Sequence, residues 1–220
     1  MSRSESGVPP RWPILPLRSV VETLFVGLPV SRHHQAEEGA RVIHEPVLSV
    51  GDIEAGRITP REALVPVALR PGSLERFRVQ TDDLLVSCRG TVLKVARVPE
   101  SAASLLVSSN LIVVRPGEML LPAVLLALFR SAAWQSELRL RARSSERLVQ
   151  LTVRDLENLP VPLPPRELQH ELAALIEAEQ EHHEAALRAA AVRRALVDGL
   201  ISEILLPAAD EESSREPGNE

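Results

Sequence analysis

Leu156-Glu157-Asn158-Leu159-Pro160-Val161-Pro162-Leu163-Pro164-Pro165 leads straight into Arg166-Glu167-Leu168-Gln169-His170-Glu171-Leu172. The first half holds four prolines between positions 160 and 165. Proline lacks an N–H and fixes φ, so this segment is extended and cannot join a central strand. The second half opens a stretch of another character. Arg166 to Leu205 has no proline and one glycine, and is rich in Ala, Glu, Leu and Arg. These are strong helix formers. Forty helical residues span about 60 Å at ~1.5 Å each.

Apolar residues recur along that stretch at helical spacing. They fall at Leu168, Leu172, Leu175 and Ile176, then Leu187, Ala190, Ala191, Val197, Leu200, Ile201, Ile204 and Leu205. This is a stripe for a partner helix, weakened in its middle by the polar run Glu177 to Glu184. A helix so long cannot be buried against a domain of the size that precedes it. It is expected to pack on a helix outside its own domain, from a second chain, with a bent hairpin near Gly199 as the alternative. Leu168, Leu172, Leu175, Leu187, Val197, Leu200 and Ile204 are the expected pairing residues. An acidic tail, 207–220, is expected to be disordered.

Upstream, the elements are short. Residues 1–14 read as a flexible N-terminus without a signal-peptide core. Leu17 to Gly27 is a short amphipathic stretch. Arg32 to Gly39 reads as a loop, and Val42 to Val50 as a strand. Residues 51–56 read as a turn. Leu84 to Ser87 and Val92 to Val98 read as two strands joined by a tight turn at Arg89-Gly90. Leu105 to Val114 reads as one strand, stopped at Arg115-Pro116-Gly117. Pro122 starts a helix that is expected to run over Ala123 to Leu140. Arg141 to Glu146 is a polar break, and Leu148 to Val153 a short strand. The expected class is α+β: a mixed-sheet domain over 15–165 and a long coiled-coil helix over 166–206.

The chain has 220 residues, 45% hydrophobic and 25% charged, enough for one core of ordinary size. Lys94 is its one lysine beside 24 arginines, a bias that a GC-rich genome also produces. The single Cys88 excludes an internal disulfide and fits a reducing cytoplasm. The longest apolar run, Met119 to Phe129, is too short to span a bilayer and reads as a buried helix. The net charge of −5 is unevenly placed. Residues 1–165 carry 20 basic and 17 acidic side chains, net +3, and residues 166–220 carry 5 and 13, net −8. Arg130, Arg139, Arg141, Arg143, Arg147 and Arg154 lie close together against Glu137 and Glu146. They make either a solvated helix face or a surface for a polyanion.

Catalytic signatures are missing from the sequence. A base-flipping amino-methyltransferase needs an Asn/Asp-Pro-Pro-aromatic loop, but here the Pro-Pro pairs precede Arg11 and Arg166. Val92 stands two before Lys94, where a restriction-type nuclease needs an acid. No Gly-Lys occurs for a phosphate loop. His33-His34 and His182-His183 are adjacent pairs, which point apart and suit no metal. Cys88 reads as a core residue. Asp82-Asp83 reads as a turn lead-in. No cofactor is expected, and an enzyme site around Asp82, Asp83 and His44 is the weakest reading.

Four segments together resemble a known family. They are Val47 to Ile58 with Gly51-Asp52-Ile53, Asp82 to Gly90, Ser109 to Pro116, and Leu151 to Pro165 followed by Gln169. In this order they are similar to the specificity subunits of type I restriction-modification systems. The resemblance covers roughly 15–205. It implies a non-catalytic protein that reads double-stranded DNA. It also implies partners: an adenine DNA methyltransferase, which uses S-adenosylmethionine and flips the base, and in some systems a translocating endonuclease. In the family each recognition domain reads one half of a bipartite site, and paired helices set the gap. Typical members carry two recognition domains and two helices, whereas this sequence carries one of each. Two copies dimerise on a spaced palindrome, or the chain pairs with another half-subunit, or it is a truncated cassette.

Arg, Asn, Gln and Ser/Thr read base edges, while Arg and Lys hold phosphates. The expected DNA-binding residues are Arg89 and Thr91 at a loop tip, Lys94 behind them, and Arg141, Arg143 and Ser144 in the polar break. Surface pairing of Arg141 and Arg143 with Glu137 and Glu146 is the competing reading. The competing function is an oligomerisation or adaptor protein of another DNA-defence system, without sequence preference.

Overall fold

Leu84-Leu85-Val86-Ser87 and Leu111-Ile112-Val113-Val114 show no polar alternation, and every one of these residues is buried. A strand apolar on both faces needs cover on both. A computed structural model, describing residues 12–30, 41–90, 93–145 and 148–205, shows that cover. The expected N-terminal, Arg32–Gly39 and acidic-tail segments fall wholly or mostly outside these residues.

By contacts the chain divides into two units, Met1–Ala174 and Leu175–Glu220. The first unit's strands are β1 (Ile14–Pro16), β2 (Val21–Val26), β3 (Ile43–Leu48), β4 (Ile53–Glu54), β5 (Arg57–Ile58), β6 (Pro66–Leu69) and β7 (Leu84–Ser87). They continue with β8 (Arg89–Gly90), β9 (Val95–Arg97), β10 (Leu106–Val107), β11 (Leu111–Pro116), β12 (Arg143–Ser145), β13 (Leu148–Gln150) and β14 (Pro160–Pro162). The helices are α1 (Pro122–Arg130), α2 (Ala132–Arg141), α3 (Val153–Glu157) and α4 (Arg166–Leu205).

The centre is an antiparallel sheet in the order β2-β11-β7-β9. Successive side chains alternate faces. Leu84, Val86, Ile112 and Val114 therefore join one cluster, with Val124, Leu125, Leu126 and Phe129 of α1 and Trp134 and Leu138 of α2. Leu85, Leu111 and Val113 join another, with Leu48, Ile53, Val79, Ala96, Leu105 and Val107. A second sheet runs β10-β3-β6, where β3 is parallel to β10 and antiparallel to β6. The architecture is α+β with mixed sheets and a long C-terminal helix. Among the described residues the Pro-rich β14 pairs only with β1, in a two-stranded ribbon, as its missing donors require.

Several local expectations are corrected. The strand expected over Leu105–Val114 is two, β10 and β11, because Ser108-Ser109-Asn110 turns the chain between them. The helix expected over Ala123–Leu140 breaks at Ser131. That residue is extended, and its Oγ accepts from the Trp134 N–H at 3.3 Å as the N-cap of α2. The hairpin turn is wider than expected: β7 pairs with β9, but Arg89-Gly90 leaves to pair with β13. Arg143–Ser145, expected as a break, is strand β12. The last expected strand stops at Gln150, because Thr152 and Asp155 form a capping box that opens α3. Helix α4 passes through Gly199 without interruption, so the hairpin alternative fails.

Candidate nucleic-acid interface

At Cys88 the chain leaves the central sheet. Cys88 is buried, its thiol donates to the Ser109 carbonyl at 3.3 Å, and burial pushes its pKa up. The thiolate is thus disfavoured, which suits a core residue and not a nucleophile. The next residue, Arg89, is exposed. Gly90 follows at φ +146°, a conformation that favours glycine. Together they form β8, the edge of a three-stranded antiparallel sheet, β12-β13-β8.

The register of this small sheet joins two segments that are far apart in sequence. Arg143 pairs with Gln150, and Gln150 pairs with Arg89. The three residues form one row across the sheet. Ser144, Val149 and Gly90 form the adjacent row. On the other side of the first row, the Leu151 N–H donates to the Cys88 carbonyl at 2.9 Å, and both of those residues are buried. Gln150 and Arg89 are exposed. Period-two alternation thus separates a buried Cys88–Leu151 pair from an outward Arg89–Gln150 pair.

The other expected site residues have different surroundings. Lys94 donates its Nζ hydrogens to the carbonyls of Val50 at 3.1 Å and Ile53 at 2.7 Å. Its ammonium ties β4 and the turn before it to the central sheet. Arg141 donates from Nε to Glu137 at 2.8 Å, one turn away on α2, and from Nη1 to the Asn158 carbonyl at 3.3 Å. Arg18 donates to the Asn158 side chain, so two arginines from different elements meet at Asn158. Thr91 lies outside the described residues, and Arg143 and Ser144 are placed by strand register alone.

Asp82, Asp83 and His44 do not form a reactive group. Asp83 is 1% exposed and accepts two hydrogen bonds from Arg115, both 2.9 Å. The hydrogen bonds to that carboxylate raise the Arg115 pKa, against the opposing effect of burial. Asp82 pairs with Arg97 at 3.5 Å. His44 is an exposed residue of β3. Among the described residues no three His, Cys, Asp or Glu could share a metal ion.

Sequence reading missed Gln150, which looked like one residue of a short strand. Its signal was the polar step in Leu148-Val149-Gln150-Leu151. Gln169 also gains a physical meaning. It is buried, donates to the carbonyls of Met119 at 3.1 Å and Pro164 at 3.0 Å, and accepts from the Leu121 N–H at 3.0 Å. It fastens the first turn of α4 to the Pro-rich segment and to the loop before α1.

Along α4, Leu168 and Leu172 belong to the first unit, and Leu172 packs on its main cluster. In the second unit Leu175, Leu187, Val197, Leu200 and Ile204 are all exposed, as are Val192, Leu196, Ile201 and Leu205. No helix among the described residues is long and apolar enough to cross a membrane.

No family model matches the chain, and no curated protein matches it. Solved structures do match. One, described as the structural basis of complex assembly and conformational transition of the type I R-M system, is 25% identical, with a TM-score of 0.58. That match covers 93% of this chain and 47% of the other. The HsdS subunit from Thermoanaerobacter tengcongensis is 21% identical, with a TM-score of 0.56 over 97% of this chain and 54% of its own. The chain has the fold of a type I restriction-modification specificity subunit. The type I S subunit from M. genitalium agrees, at 13% identity, TM-score 0.57, over 94% of this chain and 49% of its own. The chain therefore spans about half the length of the specificity subunits it matches. One mixed-sheet module and one long helix make up that span.

Proposed function

We propose that the protein is a non-catalytic DNA-recognition subunit that brings an adenine DNA methyltransferase to a bipartite target. The supporting observation is the β12-β13-β8 sheet. It joins two Arg-bearing segments, each chosen from sequence for DNA contact, on a fold shared with type I specificity subunits. The exposed Arg89 and Gln150 supply charge for phosphates and guanidinium and amide groups for base edges. Arg89, Thr91, Lys94, Arg141, Arg143 and Ser144 remain the proposed contact set, with Arg89 and Arg143 at its centre. Lys94 and Arg141 are already engaged by protein groups and would act mainly by shaping the surface.

The recognition domain is proposed as 15–165 and the spacer helix as 166–206. The exposed stripe from Leu175 to Leu205 is the surface for a second helix, from another copy or another half-subunit. Two copies about a two-fold axis would read a spaced palindrome. The working compartment is the cytoplasm, and an endonuclease joins where the system restricts. The test is an affinity pull-down from the native host at moderate salt, with co-purifying chains identified by mass spectrometry. Recovery of an adenine DNA methyltransferase is the expected result. A soluble, intact protein that recovers none would replace this reading with that of an adaptor lacking sequence preference.

A further inference from the structure

We infer that Gln150 reads a base edge, that the base is adenine, and that Arg89 and Arg143 flank it along one row. This deepens the DNA-reading function proposed above and rests on it. The register is the first support. Arg143, Gln150 and Arg89 are consecutive cross-strand partners. Neighbouring strands lie about 4.8 Å apart. A row over three strands therefore extends about 10 Å, and three consecutive bases at about 3.4 Å per step span about 7 Å, a difference that side chains can bridge.

Exposure is the second support. Gln150 and Arg89 face outward, while their neighbours Leu151 and Cys88 are sealed in the core. The sheet behind these two residues is anchored, and Gln150 and Arg89 are presented to solvent. The third support is availability. Lys94 and Arg141 each hold protein oxygens. Arg89 and Gln150 make no side-chain hydrogen bond or ion pair to other described residues. Among the described residues nothing competes with a ligand for these donors and acceptors.

Chemistry selects the base. A glutamine amide offers an N–H donor and a carbonyl acceptor side by side. Adenine presents the complementary N7 acceptor and N6 donor in the major groove. Arginine has donors only, and it matches guanine O6 and N7 or a phosphate. The row thus encodes a central adenine with guanine or backbone contacts on either side.

The experiment selects duplexes from a random-sequence library with the tagged full chain at low salt, and sequences those retained. Gln150→Ala and Gln150→Glu are run in parallel, with thermal midpoints measured for all three. The wild type should enrich a motif with a fixed adenine. Gln150→Ala should relax that position alone and weaken binding to the wild-type site about 5- to 100-fold. Gln150→Glu should move the preference to cytosine, whose N4 donates to a carboxylate. A motif unchanged in Gln150→Ala overturns the assignment while leaving DNA reading intact. Loss of every position at once, at an unchanged thermal midpoint, also overturns it, because Gln150 would then support the sheet and not read a base. A wild type that enriches no motif overturns both this assignment and the proposed function.

Discussion

Leu84, Val86, Ile112 and Val114 of the central sheet are wholly buried, whereas Leu196, Leu200, Ile204 and Leu205 of α4 are each more than half exposed. The residue types are the same, and burial of their side chains stabilises at about 25 cal/mol per Å² in either place. The difference lies in what the chain can supply. Strands β7 and β11 send alternate side chains to two clusters, and helices α1 and α2 help close one of them. A single helix offers one stripe and brings no second surface of its own. An extended exposed stripe of leucine and isoleucine is the kind of surface that binding partners cover. The comparison teaches that hydrophobic periodicity locates a stripe but does not say which chain covers it.

The strongest way to break this contrast is to make the stripe polar. Leu200→Glu combined with Ile204→Glu would place two carboxylates in an apolar seam, where unpaired charge is costly. Association should weaken more than about 100-fold, since each ~1.4 kcal/mol is a factor of ten. Native mass spectrometry reads this as loss of the dimer, or of the co-purified half-subunit. The melting transition of the first unit should not move. An unchanged assembly would mean that the partner sits on another surface.

The central sheet has its own point of failure. Asp83 and Arg115 form a nearly enclosed bidentate pair, and Asp83 also accepts from the Gln80 N–H at 2.8 Å. Removing one partner strands the other's charge in a poor solvent, at a cost of about 3 kcal/mol. Asp83→Leu and Arg115→Leu should each lower stability by about that amount, measured by urea denaturation. The double variant should recover part of it, because neither charge is then left unpaired. Strictly additive losses would show that the two side chains act separately.

The same contrast explains what could be read from sequence. The Pro-rich segment and the 40-residue helix were legible because proline's missing donor and unbroken helix propensity act locally. The apolar runs of β7 and β11 were legible for the same reason. The breaks were not. Ser131 and Thr152 end one element and open the next by accepting backbone N–H groups, a role that a window of hydrophobicity averages away. Of the proposed contacts, Arg89 and Arg143 were chosen from residue type and turn position. Gln150 was not, because nothing local reveals that β13 lies between β8 and β12. Lys94 was chosen for its charge, and only the fold shows its ammonium held by two carbonyls. Pairing between distant strands carries the information that sequence order leaves out.

The smallest expected effect separates a surface pair from the buried one. Arg78 donates to both carboxylate oxygens of Glu45, at 3.0 Å each, and to Glu75 at 3.0 Å. The hydrogen bonds from Arg78 lower the Glu45 pKa, opposed by partial burial and aided by the charges of Arg78 and Arg61. A carboxylate whose pKa is lower in the folded state binds fewer protons there than in the unfolded chain. Its stabilisation is therefore complete above the unfolded value, about 4.3, and is lost as pH falls through the folded value. Both side chains are about a quarter exposed, so solvent screening limits the contribution at neutral pH to about 0.5 kcal/mol. Glu45→Gln should thus melt about 1–2 °C below wild type at pH 7. The gap should narrow as pH falls below the usual carboxylate range, because Glu45 then takes up its proton and comes to resemble the amide. A gap that persists at low pH would assign the loss to packing or hydrogen-bond geometry. The contrast with Asp83, whose removal should cost several times more, would then reflect burial of side-chain volume and not burial of charge.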